Sequence, residues 1–258
     1  MGVDSRLSRR RLLGLLASGA AFAAADHESR AGEAHIAKLI EESRAHGGIS
    51  QRIDFISAQL RGTRYLGYTL IGSPKKPEVF VMRDDGFDCV TYCETVLAAA
   101  RARTIGEFET ALREIRYHNG VVAWRERNHY FFEWGEHNVE NKVCKPVAAD
   151  GAIDIIKRVD SQAGLEPRRF TMRVMPRAVF QANKSLMERG DIIGFVSRRP
   201  DLDYFHSGFI AVRPDGPLLL RSAAESHGRV VDESMDGFLA RYSVRYVSVW
   251  RPQEPAVA

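Results

Sequence analysis

The stretch "DDGFDCVTYCETVLAAA" (Asp84–Ala100) passes from a polar lead containing glycine into an apolar helix. Val90, Cys93, Leu97 and Ala100 recur at helical spacing, and Val96 and Ala99 widen the face they make. A helix this apolar belongs inside a core rather than on its surface. Two of the chain's three cysteines lie in it. Cys89 stands at the mouth, where unpaired backbone N–H groups and the positive end of the helix dipole favour a thiolate. It is the candidate nucleophile. Cys93 lies one turn further in and reads as packed core. Cysteines four apart can also hold a metal, but no CxxC pair or histidine-rich partner accompanies them, so no metal and no cofactor is expected. Cys144, in the loop-rich middle, leaves open a Cys93–Cys144 disulfide that would keep Cys89 free.

Working outward, residues 34–46 carry Ile36, Leu39 and Ile40 on one face, and Gly47-Gly48 stop that helix. Ile49, Ile53, Ile56 and Leu60 form a second amphipathic stripe, ended by Gly62. "VFVM" (Val79–Met82) reads as a short strand. After the central helix, Thr104 with Glu107 makes a capping box for another helix with Phe108, Leu112 and Ile115 facing inward. The aromatic, polar stretch "WRERNHYFFEWGEHNVENK" (Trp124–Lys142) shows no clean period and suits either a cleft lining or a pinned loop. The last third reads as strands: "RFTMRVM", "DIIGFVS", "HSGFIAVR", "PLLLRSA" and "VRYVSVW", with helices near 177–187 and 235–241. Helices first, then a meander of strands, predict an α+β fold with N-terminal helices packed on an antiparallel sheet. No domain boundary shows within 26–258.

The beginning of the chain has a different character. "LSRRRLLGLLASGAAFAAADH" joins an arginine cluster to a short apolar run and small residues, the layout of a signal peptide over residues 1–25 with a cut after Ala25. Arg9-Arg10 followed by Arg11-Leu12-Leu13 resembles a twin-arginine signal, which implies export in the folded state. Removing residues 1–25 takes away four arginines and one aspartate and lowers the net charge from +4 to +1. No basic patch then remains that argues for nucleic acid. A periplasmic or secreted protein without stable membrane insertion is expected.

A thiolate nucleophile needs a base. Of eight histidines, His206 is best placed, because it opens the strand "HSGFIAV" and would stand over the sheet edge. His129 and Tyr130, in the aromatic stretch, are candidate substrate contacts.

The order "GTRY" (Gly62–Tyr65), "FDCVTYCE" (Phe87–Glu94) and "GDIIGF…HSGFIAV" resembles the NlpC/P60 superfamily of papain-like cell-wall peptidases and amidases. In detail it is similar to the DUF1460 branch, through "YTLIGSPKKPEVFVMRDDGFDCVTYCETVLA", "RNHYFFEW" and "LDYFHSGF", over roughly residues 55–245. The resemblance implies a papain-like fold and an N-acetylmuramoyl-L-alanine amidase acting on muropeptides. Cys89 would be the nucleophile and His206 the base. Asp88 would set the loop or meet a substrate amine. Tyr65 would donate to the oxyanion together with the Cys89 N–H. The third catalytic position falls in "LLLRSAAESHGRVV", where Ser222 takes the orienting place; Arg221 fits if the register slips, and His227 could swing back. Two alternatives accompany this reading: a γ-D-glutamyl–diamino acid endopeptidase of the same fold, and a cell-wall-binding protein with a weakened site.

Overall fold

The computed structural model describes residues 32–160, 164–212 and 216–256. The signal sequence expected over 1–25 lies outside them. The described residues form a mixed α+β fold with seven α-helices and a curled ten-stranded sheet.

Helices α1 (Glu33–Ser43) and α2 (Ile49–Gln59) lead into α3 (Cys89–Arg101) and α4 (Ile105–Arg116), followed by α5 (Phe131–Glu140), α6 (Arg177–Ala182) and α7 (Met235–Arg241). The early strands are short: β1 (Arg64–Tyr65), the hairpin of β2 (Ile71–Ser73) with β3 (Lys76–Val79), and β4 (Gly86–Phe87). Then come β5 (Cys144–Val147), β6 (Ile153–Val159), β7 (Arg168–Pro176), β8 (Ile192–Val196), β9 (Tyr204–Val212), β10 (Leu218–Ala224), β11 (Arg229–Ser234) and β12 (Tyr246–Pro252). The sheet runs β4-β1-β11-β10-β9-β8-β12-β7-β6, with β5 also paired to β12. All its pairings are antiparallel except β1 with β4, which sets Tyr65 beside Phe87.

Every residue of α3 from Thr91 to Ala100 is buried, as its composition predicts. Asp88 starts the helix as a capping box: its Oδ1 accepts from the N–H of Val90 at 3.0 Å and of Thr91 at 2.7 Å, while its own N–H donates to Thr91 Oγ1 at 3.0 Å. A cap of this kind contributes about 1 kcal/mol. Glu94, on α3, meets the Arg116 Nε at 2.7 Å with both side chains 3% exposed, and Arg116 also donates to the Val81 carbonyl at 2.6 Å. This pair ties α3 to α4 inside the core.

Two expectations need correcting. The strand is Lys76–Val79, not "VFVM"; it forms an isolated hairpin with β2, and Phe80–Met82 follow it outside any strand. The aromatic stretch is mainly helix. Phe131 and Trp134 on α5 stack at 4.8 Å, and Gly135 admits Trp250 so closely that a Cβ there would stand 2.6 Å from its ring. Buried His137 and Asn138 interrupt the apolar stripe, which hid the period. Their side chains meet the carbonyls of Glu114 at 2.8 Å and Ile115 at 3.2 Å, groups that the end of α4 leaves without helical partners.

Candidate active site

The site gathers where the mouth of α3 meets the start of β9 and the end of β10. Local sequence explains the meeting. Gly86 and Phe87 pair with Arg64 and Tyr65, so Tyr65 is brought to the segment that carries Asp88 and Cys89. On the sheet side, the Ser207 hydroxyl donates to the Cys89 carbonyl at 3.2 Å and contacts the Cys93 sulfur at 3.9 Å. One serine on β9 therefore holds the first turn of α3 against the strand that carries His206, which is the third residue of β9 and not its first as the sequence suggested, because the ladder begins at Tyr204.

His206 Nε2 lies 2.8 Å from Ser222 Oγ, with Ser222 fully buried on β10. Its ring stacks on Phe238 of α7 at 5.3 Å. The other candidates for the orienting position are occupied elsewhere. Arg221 bonds Asp232 at 2.7 Å, and Asp54 and Ser57 at 3.0 Å. His227 faces Ser226 at 3.2 Å. The structure thus brings His206 together with Ser222, and Cys89 together with Tyr65, Asp88 and Ser207.

The electrostatics differ from the expectation for a helix-mouth thiol. Burial, reinforced by the charge of Asp88, pushes the Cys89 thiol up to about 12; the Ser207 hydroxyl and N–H act the other way and are outweighed. A dipole of half a charge does not compensate for packed surroundings and an adjacent carboxylate. Burial also lowers His206 to about 4. At neutral pH the site therefore rests as a thiol and a neutral imidazole. Tyr65 is raised to about 12 by burial and then by Cys89, Asp88 and Glu225, so it keeps its proton and remains a donor.

Three further placements bear on the sequence reading. Asp88 is engaged as the helix cap, which is the loop-setting role. His129 and Tyr130 turn into packing: His129 Nε2 meets the Trp124 carbonyl at 2.6 Å, and the Tyr130 ring meets Phe170 at 5.3 Å. Their contacts run to the aromatic core rather than to Cys89 or His206. All three cysteines are free thiols, so Cys93 and Cys144 are not joined. Among the described residues no cluster of three or more metal-ligating side chains occurs, and no helix is long and apolar enough to cross a membrane. Sequence reasoning missed Ser207, whose only signal was its place directly after the histidine. It also missed Glu225, in the turn between β10 and β11, and Glu233, on β11 opposite Leu220 of β10.

Comparison with known proteins follows the same outline. The model of the AmiA-like family, described as N-acetylmuramoyl-L-alanine amidase-like, matches residues 55–243. A DUF1460 protein of Legionella pneumophila is similar in structure, with a TM-score of 0.74 and 23% identity over 87% of this chain and 96% of that one. An N-acetylmuramoyl-L-alanine amidase from Bacteroides uniformis gives 0.69 and 21% identity over 81% of this chain and 100% of that one. Likeness at this identity concerns the fold. Among curated proteins, no sequence matches the chain significantly.

Proposed function

The chain belongs to the N-acetylmuramoyl-L-alanine amidase-like family, and from that premise we propose that it is an exported cysteine amidase of papain-like, NlpC/P60 type, cutting the bond between the muramic lactyl group and L-alanine in muropeptides. The carrying observation is the Ser222–His206 contact at 2.8 Å. With Nε2–H donating to Ser222 Oγ, the lone pair of Nδ1 is left to serve the thiol.

Cys89 Sγ attacks the amide carbonyl as His206 takes its proton, so the thiolate forms only during attack. The developing oxyanion is met by the Cys89 N–H, which the helix leaves unspent, and by the protonated Tyr65 hydroxyl. His206 then gives its proton to the departing amine of L-alanine. Water hydrolyses the thioester, returning thiol and imidazole. A serine orients the imidazole but adds no charge to stabilise the imidazolium, so a modest turnover is expected.

The test is mass spectrometry of muropeptide digests by the wild type and Cys89→Ala. Release of intact stem peptide by the wild type alone supports the reading. A stub left on the sugar would make the enzyme an endopeptidase, and an inactive wild type or a fully active variant would sink the proposal. A second reading, cell-wall binding without turnover, draws on the thiol held near 12; binding of muropeptides that never proceeds to cleavage would favour it.

A further inference from the structure

Beside the imidazole of His206 lies a cavity of about 220 Å³ whose wall includes Phe205, His206, Glu225, Glu233, Phe238 and Tyr242. Its polar and apolar parts are of unusual kinds. The Glu233 side chain is only 8% exposed. Its Oε1 accepts from the Arg241 Nη1 at 2.6 Å, but its Oε2 is buried with no partner. A buried carboxylate oxygen without a donor is costly, so a site that keeps one is short of a hydrogen-bond donor. Glu225 adds a second negative charge at the rim, and that charge reaches Tyr65. The turn that carries Glu225 also touches the segment leading to Cys89, since the Tyr65 N–H donates to the Gly228 carbonyl at 2.8 Å. The remaining wall is aromatic, with Phe205 and Phe238 stacked at 6.2 Å and Phe238 against Tyr242 at 4.7 Å.

Carboxylates beside aromatic faces are the surroundings an alkylammonium prefers: opposite charge, a hydrogen-bond acceptor and ring quadrupoles. The volume admits a short alkyl chain and excludes a sugar with its attached peptide. An anion would meet two carboxylates and is disfavoured. Arg241, whose side chain is 53% exposed, lies over the Tyr242 ring at 5.9 Å and engages Glu233 through Oε1.

We propose that this cavity receives the side-chain primary ammonium of a diamino acid in the substrate peptide, with Glu233 Oε2 as its acceptor. The assignment rests on the reading of the chain as a hydrolase of muropeptides, because it gives the peptide a second anchor beside the catalytic histidine. The cavity would then hold the peptide by its amine while the amide bond lies between Cys89 and His206.

Calorimetry on the full chain carrying Cys89→Ala tests it with two pairs of probes. The first is the tripeptide L-Ala-γ-D-Glu-L-Lys and its Nε-acetyl form. The second is Nα-acetyl-L-lysine amide and its Nε-acetyl form, which do not depend on the amidase reading. The free amines should bind about tenfold more tightly than the acetylated forms, and adding Glu233→Gln should remove that preference. Glu225→Gln, on the exposed rim, should reduce the preference about threefold and provides the test if Glu233→Gln does not fold. Equal affinity for amine and acetylated probes, or an undiminished preference in both glutamine variants, overturns the proposal. If the amine preference is present but wild-type protein cuts no muropeptide, the amidase reading falls and the ammonium site stands. Cleavage with no amine preference leaves the opposite result.

Discussion

Replacing His206 by glutamine should flatten the acid side of the protein's stability curve. The imidazole is held neutral, at about 4, against about 6.5 in an unfolded chain. As pH falls, the unfolded chain takes up the proton first. The contribution of this residue is thus fully present above about pH 6.5 and is lost as pH falls from there to about 4. The difference of about 2.5 units, at 1.36 kcal/mol each, gives about 3 kcal/mol in all, of which roughly 2 is gone by pH 5. His129, also lowered to about 4 by burial, behaves in the same sense and remains in the single variant. Buried Glu94, Asp191 and Asp203, whose values burial raises, work in the opposite sense, but equally in both proteins. Urea unfolding at pH 7.5, 6 and 5 measures the difference. The wild type should lose about 2 kcal/mol more than His206→Gln over that range, and His129→Asn added to it should flatten the curve again. Parallel loss of stability in wild type and single variant would refute the argument that His206 is buried in its neutral form.

Other substitutions separate structural from chemical roles. Asp88→Asn keeps an acceptor for the N–H groups of Val90 and Thr91 but removes the charge that helps raise Cys89, so iodoacetamide should label Cys89 faster at pH 8; Asp88→Ala should instead cost about 1 kcal/mol in urea unfolding. Glu94→Leu strands the buried Arg116 guanidinium and should destabilise by about 3–5 kcal/mol, read by the same titration. Ser222→Ala should lower kcat about tenfold with little change in KM, because it removes one hydrogen bond, on the order of 1 kcal/mol, that orients the base; an unchanged kcat would remove Ser222 from the mechanism.

The parts of the fold that were legible in the sequence are those whose apolar residues repeat with one period. The stripes of α1 and α2, the apolar face of α3 and the Thr104 start of α4 all predicted helices that form. The strands of the last third were likewise readable where Val, Ile and Phe cluster, as in "DIIGFVS" and "HSGFIAV". The misses have physical causes. In α5 the buried faces include Gly135, His137 and Asn138, whose burial depends on a partner helix and on Trp250. β6 carries the exposed Ile153 and Ile156 on the edge of the sheet, with no alternation of buried and polar residues to follow. In the site, Cys89 and His206 could be singled out because a helix mouth and the first residues of a strand are local features, although β9 begins at Tyr204 rather than at His206. Ser207, Glu225 and Glu233 could not, since their roles follow from the meeting of α3, β9, β11 and the β10–β11 turn. The state of the thiol was misjudged for the same reason: the helix dipole is local, whereas burial comes from the whole fold.

That state changes how the proposed chemistry has to work. With burial and Asp88 raising it, Cys89 rests as a thiol at neutral pH, so attack starts from the protonated sulfur. The proton must leave as the carbon–sulfur bond forms, and the Cys89 N–H and the Tyr65 hydroxyl become useful only when negative charge has moved to the carbonyl oxygen. The same fields that raise the thiol, from Asp88 and burial, disfavour any anion at the sulfur, whatever reagent calls for it. Under the proposed export, which would expose the chain to oxidants and disulfides that react with thiolates, a thiol kept protonated until an amide is bound is protected by the arrangement that slows its reaction. Tyr65 couples the two properties. It is raised by burial and then by the charges of Cys89 and Asp88, and remains a donor over the range in which Cys89 remains a thiol. Losing the Tyr65 hydroxyl in Tyr65→Phe should therefore reduce kcat without making the resting thiol any more reactive toward iodoacetamide than the absence of one neighbouring dipole allows. A large gain in labelling together with unchanged turnover would show that the hydroxyl serves the sulfur rather than the oxyanion.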